Sequence, residues 1–277
     1  MTGLLLAALA SMGWGASGTL AGRASRSIPA LFVAMAVEWG ALVVMAITTA
    51  ILQPDAPNGT HVLMALAAGV FAALGNVLLY RALAVGSMGL VAPVAATGAA
   101  IPVIAFGLWT GDRPSQLSLM GAAVTLVGIA AVARAPGQAT RRGLGLAAMS
   151  ALAYGVYFDF LDVAADGGIV WATTISRAAA AATLTIAVLV AGRRAGAFDG
   201  HVLARVALIG VLDAFATLSY AAAATHGLIS LIAVIASLYP LTTAALAYVL
   251  FGERLGRWQL LGALVTVAGV SLVLAGT

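Results

Sequence analysis

Residues 252–269 read GERLGRWQLLGALVTVAG, and residues 111–128 read GDRPSQLSLMGAAVTLVG. Gly252, Gly262, Thr266 and Gly269 follow Gly111, Gly121, Thr125 and Gly128 by the same 141 residues (252 minus 111, 269 minus 128). The offset continues upstream through Gly69 and Gly210 and through Gly86 and Gly227, and Trp14-Gly15 and Tyr154-Gly155 keep it within one residue. The chain is therefore a duplication. We place the two copies at residues 1–137 and 138–277, joined across Ala135-Pro136-Gly137-Gln138-Ala139-Thr140-Arg141-Arg142.

Composition decides where such a chain can live. Of its 277 residues 63% are hydrophobic and only 8% charged, whereas soluble domains carry roughly a quarter charged residues. Too few charges exist to cover a water-facing surface, so the chain reads as an all-α integral membrane protein. Cysteine is absent, which rules out disulfides and thiol chemistry. All thirteen basic residues are arginine and are scattered among short connections, which argues against a nucleic-acid face.

A bilayer core near 30 Å takes about 20 apolar residues per helix. Cutting at Pro, Gly and charge clusters gives apolar runs near 3–21, 29–51, 62–84, 88–109, 117–134, 143–163, 169–191, 202–224, 228–250 and 258–275. The expectation is ten transmembrane helices, five per copy. Five is odd, so the second copy enters the membrane upside down, giving two inverted five-helix repeats. Charge agrees: Arg23 and Arg26 follow the first helix where Asp162 and Asp166 follow the sixth. Arg134, Arg141, Arg142, Arg193, Arg194, Arg205, Arg254 and Arg257 join the first pair on one side, with Arg113 opposite. The positive-inside rule makes that side cytoplasmic and leaves both termini outside.

Pro93, Pro102 and Pro240 fall in the fourth run of each copy. A membrane proline frees carbonyls that only protein or a wet cavity can satisfy. They are hinge candidates in broken helices, or static kinks in a packed bundle. The Gly121, Thr125, Gly128 and Gly262, Thr266, Gly269 stripes suit close helix packing, within the chain or between chains.

Polar stripes mark four other helices. Trp14 lies on the first with Ser11 and Ser17, Asn76 and Tyr80 on the third, Ser150, Tyr154 and Tyr157 on the sixth, and Asp213, Thr217 and Tyr220 on the eighth. Such side chains face protein or water rather than lipid, and with Ser237 and Tyr239 they are candidates for lining a central cavity. Aromatics can also anchor at the interface, which suits Trp109 and Trp258 near helix ends. Four ionisable residues fall deep: Glu38, Asp159, Arg177 and Asp213. Each costs about 2.5–3.5 kcal/mol unless paired or solvated. Glu38 and Arg177 hold nearly equivalent positions, and they either pair or meet water separately. Asp213 is a candidate for proton coupling or ammonium binding, or a neutral acid bonded to a carbonyl.

No nucleotide-binding loop of the Gly-x-x-x-x-Gly-Lys type is present. His61, His201 and His226 have no metal-ligand spacing, and no nucleophile–base pair can be argued. Neither an enzyme nor a cofactor or metal protein is expected.

Trp14-Gly15, Tyr154-Gly155, Arg177, Pro240, Gly252-Glu253-Arg254 and the Gly262 to Gly269 helix together resemble the EamA-type drug/metabolite transporters over essentially the whole chain. The first copy departs in having Glu38 where the second has Arg177, and Asp112 in place of a glutamate. The resemblance implies a multi-pass carrier of the cell's inner (plasma) membrane, commonly an exporter, with a cavity between its halves and a small-molecule substrate. Trp14, Tyr80, Tyr154, Tyr157 and Tyr220 fit the aromatic amino acid exporter (YddG-like) branch. A passive facilitator for polar solutes and an exporter of cationic drugs are the alternatives. The resemblance also implies cytoplasmic termini, opposite to the arginine distribution.

Overall fold

The computed structural model describes residues 2–99, 115–134, 141–191, 200–224, 239–252 and 256–276. They form ten helices, α1 (Thr2–Ala24), α2 (Ala30–Leu52), α3 (Gly59–Val85), α4 (Met88–Gly98), α5 (Gln116–Arg134), α6 (Arg141–Ala165), α7 (Ile169–Val190), α8 (Gly200–Ala224), α9 (Tyr239–Phe251) and α10 (Arg257–Ala275). No strand occurs among the described residues. Each helix falls within one of the runs cut from the sequence, or overshoots it by at most three residues. The second half of the fourth run and the first half of the ninth lie outside the described residues.

Local chemistry sets several ends. Pro29, which has no N–H to donate, precedes α2. Asn58 caps α3 by accepting from the His61 N–H at 3.0 Å. Gly252 ends α9 at φ +67°, a left-handed conformation that a side chain would strain. α2 has 23 residues, about 35 Å of helix, enough to cross a hydrocarbon core. Among the described residues, five helices are long and apolar enough to span a membrane: α2, α3, α6, α7 and residues 200–220 of α8. Their outward faces carry Val43, Ile47, Leu66, Val70, Leu152, Ile186, Leu189 and Leu208, all exposed. An apolar surface that continuous suits lipid, not water.

Helix directions follow from which residues meet. Thr49 and Thr174 share a buried hydroxyl–hydroxyl hydrogen bond of 2.8 Å, while Trp39 Nε1 donates to Thr185 at 3.1 Å. The lower number on α2 pairs with the higher on α7, so the two run antiparallel. α5 and α10 do the same: a Cβ on Gly128 would strike Thr266, and one on Gly269 would strike Thr125. These are the second and fifth helices of each copy, and equivalent helices point in opposite directions.

The halves also interlock. α1 lies antiparallel on α8, with Ala7 packed near Ala223, Gly13 against Ala216 and Ser17 bonded to Asp213. Its equivalent α6 lies antiparallel on α3, through Phe71 and Phe160 with ring centroids 5.8 Å apart and Gly75 against the Tyr154 ring. The main apolar core draws on both copies, from Ala21, Phe32 and Leu83 to Ala147, Leu184 and Ala247. Neither half encloses a core of its own.

The α5–α10 crossing offers a direct test. Gly128→Leu or Gly269→Leu overpacks it and should cost about 1–3 kcal/mol, read as a lower Tm of purified protein. Val127→Leu, on the 64% exposed face of the same helix, should stay within about 0.5 kcal/mol. Equal melting of all three would mean that the glycine contact does not hold these helices together.

Candidate functional site

The buried interior of this bundle holds a connected polar network. Glu38, near the middle of α2, is wholly buried, and a lone carboxylate there would be costly. Arg177 of α7 meets it, Nη1 donating to Oε1 at 3.2 Å and to Oε2 at 3.4 Å. The other arm of the guanidinium, Nη2, donates to Asp213 Oδ2 of α8 at 2.6 Å. One planar, permanently charged group thus bridges two carboxylates, each through a different arm of the guanidinium fork.

Both ends of this triad are bonded further. On the Glu38 side, Asn76 Nδ2 of α3 donates to Oε1 at 2.5 Å, and Tyr154 OH of α6 donates to Asn76 Oδ1 at 2.6 Å. Ser150, one turn earlier, donates to the Gly75 carbonyl at 2.9 Å. On the Asp213 side, Ser17 of α1 donates to Oδ1 at 3.3 Å. Trp14 Nε1 donates to Thr217 Oγ1 at 3.3 Å, and that hydroxyl donates to the Asp213 carbonyl at 3.1 Å. Six helices are joined by side-chain hydrogen bonds.

The arrangement is pseudo-symmetric with one break. Trp14–Thr217 and Tyr154–Asn76 are equivalent bonds, each from an aromatic on a first helix to a polar residue on the other copy's third. Glu38 and Arg177 are likewise near-equivalent, 139 residues apart. Asp213 has no acidic counterpart: 141 residues earlier stands Ala72. With all three charged groups ionised the triad carries a net −1.

Access is graded. The Glu38 side chain is 0% exposed, that of Arg177 14% and that of Asp213 17%. The open edge is therefore the Arg177–Asp213 pair. Trp14 and Tyr220 stand together beside it, ring centroids 5.6 Å apart, and Tyr154 and Tyr157 meet edge to face at 6.1 Å. Tyr80 is buried within electrostatic range of all three charges.

Among the described residues, the remaining sequence candidates make no hydrogen bond to these groups. Tyr239 starts α9 half-buried, and its carbonyl approaches Gly15. Pro240 is buried on α9. Pro93 lies on α4, whereas Ser237 and Pro102 fall outside the described residues. Asp159, toward the far end of α6, has a buried Oδ1 without a hydrogen-bond partner and takes no part in the network. The network adds residues that were not singled out as site candidates. Ser17 and Ser150 had been placed on polar faces, but nothing in their spacing said which helix each would meet. Gly75, whose missing side chain admits the Tyr154 ring, carried no signal.

A helical bundle with a lipid-facing exterior and charged groups paired in its interior has the build of an integral membrane transporter. The chain belongs to the EamA-like transporter family, whose sequence profile matches residues 1–134 and 141–275, one stretch per repeat. It is a membrane transporter of the kind that carries small metabolites. No curated protein sequence matches it. It is similar in fold to a solved crystal structure at 17% identity and a TM-score of 0.65, over 98% of this chain and 95% of that one.

The bridging role of Arg177 predicts a distinctive pattern. Arg177→Met strands two carboxylates and should destabilise by about 3–5 kcal/mol. Adding Glu38→Gln should recover part of that loss, because the amide needs no cation. A double variant that melts no higher than Arg177→Met would show that the two residues are not coupled.

Proposed function

We propose that the chain is a secondary transporter that exports amino acids, aromatic ones included, by alternating access. It would cross the cell's inner membrane ten times, as two inverted five-helix repeats (1–137 and 138–277) around a central cavity. The observation that carries this reading is the Arg177–Asp213 pair. It offers a cation and an anion side by side at the partly open edge of an otherwise buried network.

A zwitterionic amino acid presents the complementary pair. Its ammonium group would approach Asp213, and its carboxylate would compete for Arg177, while Glu38 stays behind as a fixed counter-charge. Trp14, tied to α8 by Thr217, stands against Tyr220, Tyr154 bonds Asn76 and meets Tyr157 edge to face, and Tyr80 follows Asn76 by one turn on α3. Aromatic faces favour both ammonium groups and planar side chains. Ser237 and Tyr239 would complete the wall, and Pro93, Pro102 and Pro240 would let the fourth helices and α9 bend. The triad's net −1 makes Asp213 the proposed proton-coupling group, since it takes up one positive charge at no cost to the Glu38–Arg177 pair.

Counterflow in proteoliposomes tests the proposal. Labelled amino acids should enter with saturation, and Trp14→Ala should raise the half-saturating concentration more for aromatic than for small substrates. Asp213→Asn should abolish accumulation driven by a proton gradient and leave exchange only at a raised half-saturating concentration. Flux linear in concentration would indicate a passive facilitator. Saturable uptake of organic cations without amino acids would move the substrate class, and pH dependence unchanged in Asp213→Asn would remove that residue from coupling.

A further inference from the structure

Three glycines of α1 are each closed off by a different helix. A Cβ at Gly13 would strike Ala216 of α8, one at Gly15 would strike Thr242 and the Tyr239 carbonyl of α9, and one at Gly22 would strike Leu83 of α3. Gly18 differs. Among the described residues, no atom lies within 4 Å of a Cβ built there.

This gap points into the bundle, not at lipid. Leu5, Leu9, Met12 and Leu20 are the exposed large apolar residues of α1 and share one side of the helix. Gly18 follows Leu9 by nine residues (18 minus 9), about two and a half turns, which sets the two on opposite sides. Gly18 falls between the side that meets α8, through Gly13 and Ser17, and the side that meets α9 and α3, through Gly15 and Gly22. It faces the space those helices surround. Although it points inward, Gly18 is only half-buried, so the space beside it is open.

The space adjoins the charged edge of the network. Ser17, the neighbour of Gly18 in the chain, donates to Asp213 at 3.3 Å, and Asp213 holds Arg177 at 2.6 Å. Trp14 stands one turn before Gly18 on the same face, its indole fixed by Thr217 and set against Tyr220. The second copy carries a side chain at the equivalent place. Tyr154 follows Trp14 by 140 residues, and the same step from Gly18 leads to Phe158. The Phe158 ring lies 4.9 Å from that of Tyr157 and 6.5 Å from that of Tyr154, centroid to centroid.

We propose that the gap at Gly18 is the pocket for the substrate side chain, and that the missing Cβ of Gly18 sets the largest side chain the transporter carries. The inference rests on the amino acid reading above. With the ammonium at Asp213 and the carboxylate at Arg177, the side chain points past Ser17 to Gly18 and lies against the indole of Trp14. A bare glycine backbone lets a flat ring approach closely, and a branched side chain there takes up the same room.

Counterflow of labelled alanine and tryptophan, with Tm measured alongside, tests the pocket. Gly18→Leu should raise the half-saturating concentration for tryptophan at least about tenfold more than that for alanine, with Gly18→Ala between it and the unaltered protein. Neither variant should melt lower than the unaltered protein, because the gap has room and glycine is the poorer helix former. Gly22→Leu, which strikes Leu83, should melt lower. An equal rise for both amino acids, or no rise for either, overturns the pocket and leaves amino acid transport standing. Gly18→Leu melting as low as Gly22→Leu would show that the gap is closed, and sinks the proposal too. Unaltered protein that carries neither amino acid overturns the amino acid reading, and with it the ligand assigned to Gly18.

Discussion

A guanidinium held between two carboxylates is the interaction on which this interior depends. Each of the three charges alone would be expensive away from water, with an effective penalty of several kcal/mol per ion. Arg177 removes that penalty for Glu38 and Asp213 at once, and Asn76 and Ser17 satisfy further carboxylate oxygens. The bonds need short distances, so they fix where α2, α7 and α8 stand relative to one another. Close glycine contacts, Gly40 on Ala207 and Gly210 on Val37, press α2 and α8 together beside these bonds. The polar network supplies the register.

Symmetry explains why the charges sit where they do. In an inverted repeat, equivalent positions near the pseudo-twofold axis approach each other, and identical charges there would repel. Glu38 and Arg177 are near-equivalent in sequence and opposite in sign, so the two attract and form an ion pair. Asp213, facing Ala72 across the symmetry, then breaks the balance. It is the one member of the triad with no charged or polar equivalent, and it lies at the accessible edge.

Much of the fold was legible because lipid makes hydrophobicity a reliable signal and duplication gives every element twice. The constant offset named the Gly128–Thr266 and Gly269–Thr125 helices, and the structure places them against each other. The site was only partly legible. Helical spacing put Trp14, Asn76, Tyr154, Asp213 and Thr217 on polar faces, but a face does not name its partner. That Ser17 meets Asp213, or that Asn76 stands between Glu38 and Tyr154, depends on the rotation and tilt of helices packed through alanine and glycine. Such residues carry no side-chain pattern from which rotation can be read. Nor could proline positions alone separate a hinge from a static kink.

The same bonds divide the bundle into parts of unequal tightness. α3 and α6 are tied by Tyr154 to Asn76 and by Ser150 to the Gly75 carbonyl, and Asn76 extends the tie to Glu38 on α2. α1 and α8 are tied by Trp14 to Thr217 and by Ser17 to Asp213. Within the network, these two groups meet at one bond, from Arg177 Nη2 to Asp213 Oδ2. It is also the most accessible ion pair in the triad, so a charged ligand reaching the network would compete there first. α5 and α10, locked by reciprocal glycine contacts, have no part in it. A ligand acting on that single bond would act on the joint between α1–α8 and α2–α3–α6–α7 and leave the glycine crossing untouched. Charge thus joins α2, α7 and α8 beside the close glycine contacts of α2 with α8, whereas α5 and α10 meet through glycine and threonine alone.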